Sequence, residues 1–402
     1  MKLHLFVLYF CIAANLATGQ EQEMHLVTVD STVNGSLFIE PPLPEDGRVP
    51  AGTKLKLRAK PVEGYAVDSI YYSVPGRWGA MYHESLTDEF EVVIDQDKHL
   101  GASFIKSEEV EHVEVTHNVI YAHPGKKPLK YDVYSPDDAQ DLPMVVIIHG
   151  GGWSTNDEDI MRGLARELTR DGKFVVASLD YRWIGNADGD QKPNSMADLI
   201  EDVFGGIAHI REHAEAYGGD PNRIGVTGDS AGGHLSAAAS LLIERIGDRG
   251  FGETEGVFEF KPSYLPKGKS ASGLKHELLD SIKAAAPSYG VFSREALGRF
   301  VVGLGEEASA AVAPQDNIPE ATTRRVPQYL LRGTKDFLIR NEGVQAFVKA
   351  LEAKGQTAIY EQVEGAGHAF FDWKPNDEVK ATFGEFGKPY AETMREFFEE
   401  HL

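Results

Sequence analysis

The serine at the centre of the pentapeptide GDSAG, residues 228–232, is the first residue whose type and setting could do chemistry. The pentapeptide fits the pattern G-x-S-x-G and lies between a strand predicted at 224–227 and a helix predicted at 232–244. A sharp strand-to-helix turn strains the backbone of the serine, while the flanking glycines let neighbouring chain pass close by. The pattern predicts Ser230 as a nucleophile, and the alternative is a serine that caps an ordinary glycine-rich helix start.

A second glycine-rich loop, HGGGW at 149–153, directly follows an apolar strand predicted at 144–148. Backbone amides can approach a substrate oxygen where side chains are absent, so the loop predicts an oxyanion hole. The predicted donors are three amides, those of Gly151, Gly152 and Ala231. The amide of Trp153 is an alternative to that of Gly151. His149 is predicted to hold the loop by hydrogen bonding.

An aspartate and a histidine follow later strands of the chain. Asp336 comes after the apolar run 329–332, and His368 lies in a loop after the run 357–362. An aspartate at the carboxyl end of a strand can orient a histidine, which can take up a proton near neutral pH. The chain order serine, aspartate, histidine is that expected for a nucleophile elbow on an α/β sheet. We therefore predict Ser230 as nucleophile, His368 as general base and Asp336 as its orienting acid, together called the triad.

Composition limits the partners that such a site would serve. The 402-residue chain carries 40 basic and 62 acidic side chains, a formal net charge of −22, which disfavours nucleic acid and anionic membranes as partners. A neutral substrate fits this charge better than a polyanionic one. The predicted chemistry needs neither a metal nor a cofactor, and no second ligand stands at a suitable spacing from His149.

Alternating strands and helices must position these residues. From residue 113 onward, apolar runs alternate with stretches of helical spacing, which predicts an α/β fold with a doubly wound, mostly parallel sheet over 113–402. The predicted strands are at 113–120, 129–134, 144–148, 174–179, 224–227, 281–285, 329–332 and 357–362. The predicted helices are at 159–170, 195–217, 232–244 and 341–354. The polar stretch 246–280 is longer than an ordinary connection and is a candidate lid over the substrate.

A small all-β domain is predicted ahead of this sheet. Short alternating runs separated by turn residues between 24 and 106 predict about six strands. Asn34-Gly35 predicts a type I′ hairpin between the first two of them. Residues 107–112 are charged, lack apolar periodicity and are interpreted as the linker to the larger domain.

The N-terminal residues 1–19 have the features of a secretory signal peptide. Lys2 precedes the apolar run 3–16, which is too short to span a bilayer, and small residues at 17–19 suit a cleavage site. The residue before Cys11, the only cysteine, is not the small one that lipid attachment requires, so no lipid anchor is predicted. We predict a secreted or periplasmic protein of bacterial origin, without a membrane span or disulfides.

With these motifs in place, residues 113–402 resemble an α/β-hydrolase esterase that carries the HGGGW loop. The resemblance rests on the motifs at 149–153 and 228–232 and on the stretch YGGDPNRI at 217–224. It is to the bacterial feruloyl and acetyl-xylan esterase-like carbohydrate esterases, with hormone-sensitive-lipase-type esterases next. It implies hydrolysis of carboxylic esters through an acyl-enzyme. Residues 24–106 resemble a divergent internalin-B-type bacterial repeat, a module that usually serves as a spacer or adhesive add-on.

Aromatic residues beside the motifs are candidates for a wall that accepts an aryl group or stacks a sugar. They are Trp153, Trp183, Phe337 and Phe370, and ordinary packing is the alternative for each. We predict acetyl or feruloyl esters on polysaccharide as the substrate. A general carboxylesterase, lipase, arylformamidase or exopeptidase on the same triad remains open, as does a non-catalytic binding or adhesion protein on a hydrolase scaffold. The sequence leaves the oligomeric state open.

Overall fold

The computed structural model describes residues 22–76, 79–298 and 305–402. The predicted signal peptide, residues 1–19, lies outside these ranges. Strands near the N-terminus form two small sheets, and later strands form one large sheet. In the described parts of the chain, no helix is both long and apolar enough to cross a membrane.

The first eight strands are β1 (Met24–Val29), β2 (Gly35–Glu40), β3 (Arg48–Pro50), β4 (Lys54–Pro61), β5 (Tyr65–Gly76), β6 (Gly79–Ser85), β7 (Glu89–Val93) and β8 (Lys98–Lys106). They form a five-stranded sheet in the order β3-β1-β8-β5-β6 and a three-stranded sheet in the order β2-β4-β7. Apolar side chains from both sheets, such as Val27, Leu57 and Leu100, share a core of their own. We call strands β1–β8 the N-terminal module. Its separation as a domain, with residues 107–112 as the linker, stays a proposal.

The hairpin predicted at Asn34-Gly35 is wrong. β1 pairs in parallel with β8 and antiparallel with β3, whereas β2 pairs with β4. A type I′ turn needs positive φ at both central residues, and of these two only Asn34 has it, at 68°. Gly35 instead passes close to the ring of Phe104, which would lie 2.2 Å from an added Cβ. The glycine therefore serves a close contact between the two small sheets.

The remaining strands form the sheet that carries the predicted triad: β9 (Val113–Ala122), β10 (Leu129–Pro136), β11 (Leu142–Ile148), β12 (Val175–Leu179), β13 (Gly219–Asp229), β14 (Ile282–Ser288), β15 (Gln328–Gly333) and β16 (Ala358–Val363). Their order is β16-β15-β14-β13-β11-β12-β10-β9. β10 is antiparallel to β9 and β12, and the pairs from β12 to β16 are parallel. The predicted fold class is confirmed. The apolar run of β11 lies in the middle, where a strand is covered on both faces.

Helices pack against this sheet: α1 (Arg162–Thr169), α2 (Met196–His213), α3 (Ala231–Leu241), α4 (Ala271–Ser281), α5 (Arg294–Leu297), α6 (Glu306–Val312), α7 (Asn341–Ala353), α8 (Asp377–Thr382) and α9 (Lys388–His401). α2 begins at a capping box, in which Ser195 and Asp198 each accept the other's backbone amide. The helix predicted at 159–170 divides into a 3₁₀ turn, Glu158–Met161, and α1.

The polar stretch 246–280, the candidate lid, is anchored to the scaffold at Phe260, and its role as a lid stays a prediction. The amide of Phe260 donates to the carbonyl of Arg245 (2.9 Å), and the Phe260 ring is fully buried beside Phe204 of α2. Arg245 follows the carboxyl end of α3, whereas Ser230 precedes its amino end. Because α3 has 11 residues, this anchor lies roughly 16 Å from the serine. Burial against α2 removes this apolar ring from water, which stabilises the anchor.

Candidate active site

Ser230 lies on the tight turn between β13 and α3. Its backbone has φ 52° and ψ −112°, a conformation that costs energy for any residue other than glycine. Its amide donates to the carbonyl of Ser288 in β14 at 3.0 Å, which fixes the turn to the neighbouring strand. A Cβ at Gly232 would lie 1.9 Å from the carbonyl oxygen of Ile148, so the motif needs glycine there. The turn leaves the serine partly exposed at the edge of the sheet.

The structure brings the three residues of the predicted triad into one hydrogen-bonded chain. The Ser230 hydroxyl donates to Nε2 of His368 over 2.8 Å, and Nδ1 of His368 donates to Oδ2 of Asp336 over 2.8 Å. The other carboxylate oxygen of Asp336 accepts the amides of Leu338 (2.8 Å) and Ile339 (2.9 Å). With Nδ1 as donor, the imidazole presents the lone pair of Nε2 to the serine, as a general base must.

The Asp336 carboxylate is held in its ionised form. Its side chain is fully buried, and burial alone raises the pKa of a carboxyl. The hydrogen bond from His368 and the attraction between the carboxylate and the imidazole outweigh burial, with help from two backbone amides, and lower the pKa of Asp336 below its ordinary value. An ionised Asp336 can both orient the imidazole and stabilise its protonated form.

The predicted oxyanion donors lie in a strained loop after β11. Gly151 has φ 117° and Gly152 has φ 60°. A Cβ at Gly151 would lie 2.2 Å from the carbonyl oxygen of Thr155, so this position excludes a side chain. Among the described residues, the backbone hydrogen bonds of the loops and turns do not involve the amides of Gly151, Gly152 or Ala231. Their role as oxyanion donors stays a prediction, as does the alternative with the amide of Trp153.

Asp229 is a residue of this site that sequence reasoning did not single out. Its Oδ1 accepts the amide of Gly150 at 2.7 Å, so the side chain beside the serine fixes the start of the oxyanion loop. Burial, followed by the nearby Asp372 carboxylate, raises the pKa of Asp229 to about 7. The available signal was an acidic side chain at the end of a buried strand, where an unpaired carboxylate would be costly.

His149 lies beneath the same loop. Its ring stacks on Tyr181 at a centroid distance of 4.3 Å, and its Nε2 lies 3.3 Å from Oδ1 of Asp180. The Tyr181 hydroxyl in turn donates to the His149 carbonyl at 2.9 Å. These contacts fit the predicted structural role of His149.

Two of the four predicted substrate-facing aromatic residues are packed in the core. Trp153 is 4% exposed and Phe370 is fully buried. The Trp153 indole N–H donates to Nδ1 of His234 at 3.3 Å, and Phe370 packs against the ring of Tyr289. Their assignment to a substrate wall is therefore corrected, because other side chains already cover their apolar surfaces.

The other two aromatic residues lie at accessible positions. Trp183 is partly exposed, and its indole N–H donates to the carbonyl of Asn156, close to the oxyanion loop, at 2.8 Å. Phe337, next to Asp336, is 81% exposed and borders a cavity of about 810 Å³ that residues 290–296 also line. Small-molecule sites have volumes of this order. Trp183 and Phe337 remain predicted substrate-facing residues.

Three buried carboxylates elsewhere in the fold have the spacing to ligate a cation. Oxygen atoms of Asp132, Glu158 and Asp159 lie within 4.8 Å of one another. The ammonium of Lys130 lies 2.7 Å from Oε1 of Glu158 and already supplies positive charge. Burial, followed by the neighbouring Asp157, raises the pKa of Glu158 and Asp159 well above their ordinary values. A shared proton and the lysine can thus neutralise this cluster without an ion.

Comparison with known proteins shows which fold class carries this geometry. A family model described as BD-FAE matches residues 131–256, and the dienelactone hydrolase family model matches residues 268–401. The structure of Thermogutta terrifontis esterase 2 phosphoramylated by tabun covers 72% of this chain and 95% of its own length, with a TM-score of 0.52 and 25% sequence identity. The apo form of the same enzyme gives the same coverage and TM-score at 24% identity. The fold is that of an α/β-hydrolase.

Curated relatives within this fold class are named as ester hydrolases. The probable isoprenylcysteine alpha-carbonyl methylesterase ICMEL1 of Oryza sativa subsp. japonica is 28% identical over 267 residues, which are 63% of this chain and 57% of the relative. The carboxylic ester hydrolase LipN of Mycobacterium tuberculosis is 36% identical over 132 residues, 33% of each chain. This chain thus spans little more than half of the first relative's length and a third of the second's.

Proposed function

We propose that this protein is a serine esterase that hydrolyses carboxylic esters through an acyl-enzyme. The observation that carries this proposal is the pair of 2.8 Å hydrogen bonds that link Ser230 to His368 and His368 to Asp336. The strained backbone of Ser230 at the start of α3 adds support, because the helix directs its positive end towards a developing oxyanion.

The reaction follows from the positions of these groups. The Ser230 oxygen attacks the ester carbonyl carbon while its proton passes to Nε2 of His368. The carbonyl oxygen becomes an oxyanion that the amides of the predicted oxyanion hole receive. The intermediate collapses, the alcohol leaves with the proton from His368, and an acyl group remains on Ser230. A water molecule, deprotonated by His368, then attacks this acyl-enzyme and releases the acid.

The proposed substrate is a polysaccharide that carries acetyl or feruloyl esters. The exposed ring of Phe337 at a cavity of about 810 Å³ suits an aryl or sugar ring. The N-terminal module, with its resemblance to an internalin-B-type repeat, fits a protein that works outside the cell. The same proposal includes export to the periplasm or the medium, directed by residues 1–19 as a signal peptide.

Hydrolysis of a nitrophenyl acetate ester by Ser230→Ala tests the mechanism. We expect a loss of about 10⁶ in kcat, the size seen when a nucleophilic serine of this kind is removed. Ser236→Ala is the matched control, since Ser236 is a buried serine of the same helix whose hydroxyl donates to the Gly233 carbonyl. Unchanged hydrolysis by Ser230→Ala would remove the mechanism and favour a non-catalytic scaffold.

Acid release from a panel of esterified polysaccharides tests the substrate. The proposal predicts release of acetate or ferulate in preference to hydrolysis of long-chain lipid esters, aryl formamides or peptides. Faster turnover of any of these three other classes would replace the polysaccharide ester by a lipase, arylformamidase or exopeptidase substrate and leave the triad mechanism intact.

A further inference from the structure

The N-terminal module contributes two buried carboxylates, Asp68 and Glu84, to an ionic cluster with the part of the chain that carries the proposed triad. Asp68 of β5 is fully buried and accepts hydrogen bonds or ion pairs from Arg162 (3.1 Å), Arg166 (3.0 Å), Lys380 (3.0 Å) and the indole N–H of Trp373 (3.0 Å). None of these four donors belongs to the module. A single aspartate therefore gathers groups from α1, from α8 and from the segment that follows His368.

Asp68 remains charged in this setting. Burial opposes ionisation, but the positive charges of Arg162, Arg166 and Lys380 outweigh it and hold the pKa of Asp68 well below its ordinary value. A buried charge that several donors contact has a sharply defined position, since displacement would leave it or its partners unpaired.

Trp373 is the member of this cluster closest in sequence to His368. Its backbone amide donates to the Ile160 carbonyl at 2.9 Å, and the Arg166 guanidinium lies 4.6 Å from the ring centroid. A Cβ at Gly163 would lie 2.8 Å from the ring, so α1 has space for the indole only because a glycine stands there. The ring of Trp373 is thus held from several sides, and the indole N–H points to Asp68.

The segment between Trp373 and His368 is short and tightly constrained. Ala369 has φ 64°, an unfavourable value for alanine. The amide of Phe371 donates to the hydroxyl of Tyr289 at 3.2 Å, and the Tyr289 ring lies 5.0 Å from the imidazole of His368. With so few residues between them, we expect a shift of the indole to move the imidazole.

We infer that Asp68 is a positioning residue for the catalytic histidine, acting through Trp373. This inference rests on the proposed esterase function. The N-terminal module then supplies a fixed point for the His368 loop in addition to any role in binding. Asp68 touches neither the substrate nor the reacting atoms, and its effect is on the geometry of the bond between His368 and Ser230.

The experiment is a double-mutant cycle in the full chain with Asp68→Asn and Trp373→Phe. The second substitution removes the indole N–H and keeps a ring in place. We expect each single variant to lose roughly 10-fold to 10²-fold in kcat on nitrophenyl acetate, with KM within about twofold of the parent, because small misplacements of a catalytic group have effects of this size. The double variant should lose no more than the worse single variant, since both act on one contact.

Asp30→Asn is the matched control. Asp30 belongs to the module, accepts the Tyr71 hydroxyl at 2.9 Å and is exposed. It should leave kcat unchanged. If Asp30→Asn slows the enzyme as much as Asp68→Asn, or if the two losses multiply in the double variant, the module acts through general stability and the inference fails. If Asp68→Asn does not fold, Trp373→Phe alone decides, and a kcat within twofold of the parent overturns the inference.

A second readout needs no substrate. The proton between His368 Nδ1 and Asp336 gives a downfield NMR resonance in the parent, and we expect Asp68→Asn to shift or broaden it while Asp30→Asn does not. An unmoved resonance in Asp68→Asn overturns the inference. A parent that shows the resonance but hydrolyses no ester contradicts the proposed function instead, so the two failures are distinguishable.

Discussion

Two clusters of buried or half-buried polar groups differ in how they are built. Around Ser230, the backbone adopts positive φ at Ser230, Gly151 and Gly152, and the Gly150 amide donates to the buried carboxylate of Asp229. Around Asp68, which lies at a register shift in the pairing of β5 with β8, several donors meet one buried carboxylate. The first cluster depends on strained backbone, and the second on charged side chains gathered around one group.

The difference between the two clusters indicates a different role for each. Strained residues cost stability and persist only where their surroundings determine the conformation. A buried ionic cluster is a weak source of net stability but resists displacement, because removing one partner leaves a buried charge alone. The first arrangement suits chemistry on a bound molecule, and the second suits holding the segments that carry that chemistry.

The largest effect is expected from Asp336→Asn. Leu338 and Ile339 donate their amides to Oδ1, so the amide nitrogen of the asparagine would face Nδ1 of His368. The imidazole would then turn to the tautomer that cannot accept the serine proton. We expect kcat to fall by about 10⁴.

Steady-state hydrolysis of nitrophenyl acetate measures this loss, with exposed Asp377→Asn as a control that should behave like the parent. A loss of less than tenfold would show that Asp336 does not orient the histidine.

The cluster around Asp68 is tested by Arg162→Leu. Arg162 is 1% exposed and bonds Asp68, Glu84 and the carbonyl of Asp159. Its loss leaves two carboxylates buried side by side, and we expect the free energy of unfolding to fall by about 3–5 kcal/mol.

Urea unfolding of both variants measures this, with Lys54→Gln as control because the ion pair of Lys54 with Glu91 is exposed. Equal unfolding midpoints for Arg162→Leu and the parent would mean that the cluster is not formed in solution.

The strained loop is tested by Gly151→Ala. The added methyl group meets the carbonyl oxygen of Thr155 at 2.2 Å and must move the loop. Losing one oxyanion donor lowers kcat by roughly 10²–10³. Gly343→Ala, in α7 with nothing within 4 Å of the new Cβ, should retain the parent rate. Identical rates for the two variants would place the oxyanion hole elsewhere.

The smallest effect concerns Asp229 and pH. Burial and Asp372 raise its pKa in the folded protein to about 7, whereas an unfolded chain has an ordinary carboxyl near 4. The folded state therefore holds the proton more tightly, and stability falls as pH rises from about 4 to about 7. Asp229→Asn keeps an oxygen for the Gly150 amide but has no carboxyl to titrate, so its stability should not fall in this way between about pH 4 and about pH 7.

Its stability relative to the parent should increase by about 2 kcal/mol between pH 5 and pH 7 in urea titrations. The exposed Asp280→Asn should show no such trend, and a flat difference for Asp229→Asn would mean that the carboxyl is not buried as described.

The sequence could predict the fold class and the three side chains that meet at the sheet edge, because both depend on local signals. A continuous apolar run predicts β11, and the G-x-S-x-G motif around Ser230 predicts the strand-to-helix turn that it forms. Since parallel strands end at one edge, Ser230, Asp336 and His368 had to lie near one another once their strands were recognised.

Other features depend on partners far away in the sequence. The Asn34-Gly35 dipeptide predicted a hairpin, but β1 pairs with β8 instead. No turn motif in the sequence indicates that pairing. Nothing in the residues near Trp153 or Phe370 tells a core aromatic ring from one that faces a substrate. The contact of Asp68 with Trp373 has no sequence signature, because each residue alone is ordinary.

The contact between Asp68 and Trp373 also limits the order in which parts of the chain can fold. Trp373 lies 305 residues after Asp68, so the strands of the module are complete long before their indole partner has been synthesised. Contacts at such separation form late, because a large part of the chain must first be ordered. Until then, the Asp68 carboxylate remains exposed to solvent on the surface of the module. A chain that stops short of residue 373 would keep a module with its own core and expose a carboxylate meant for the interior.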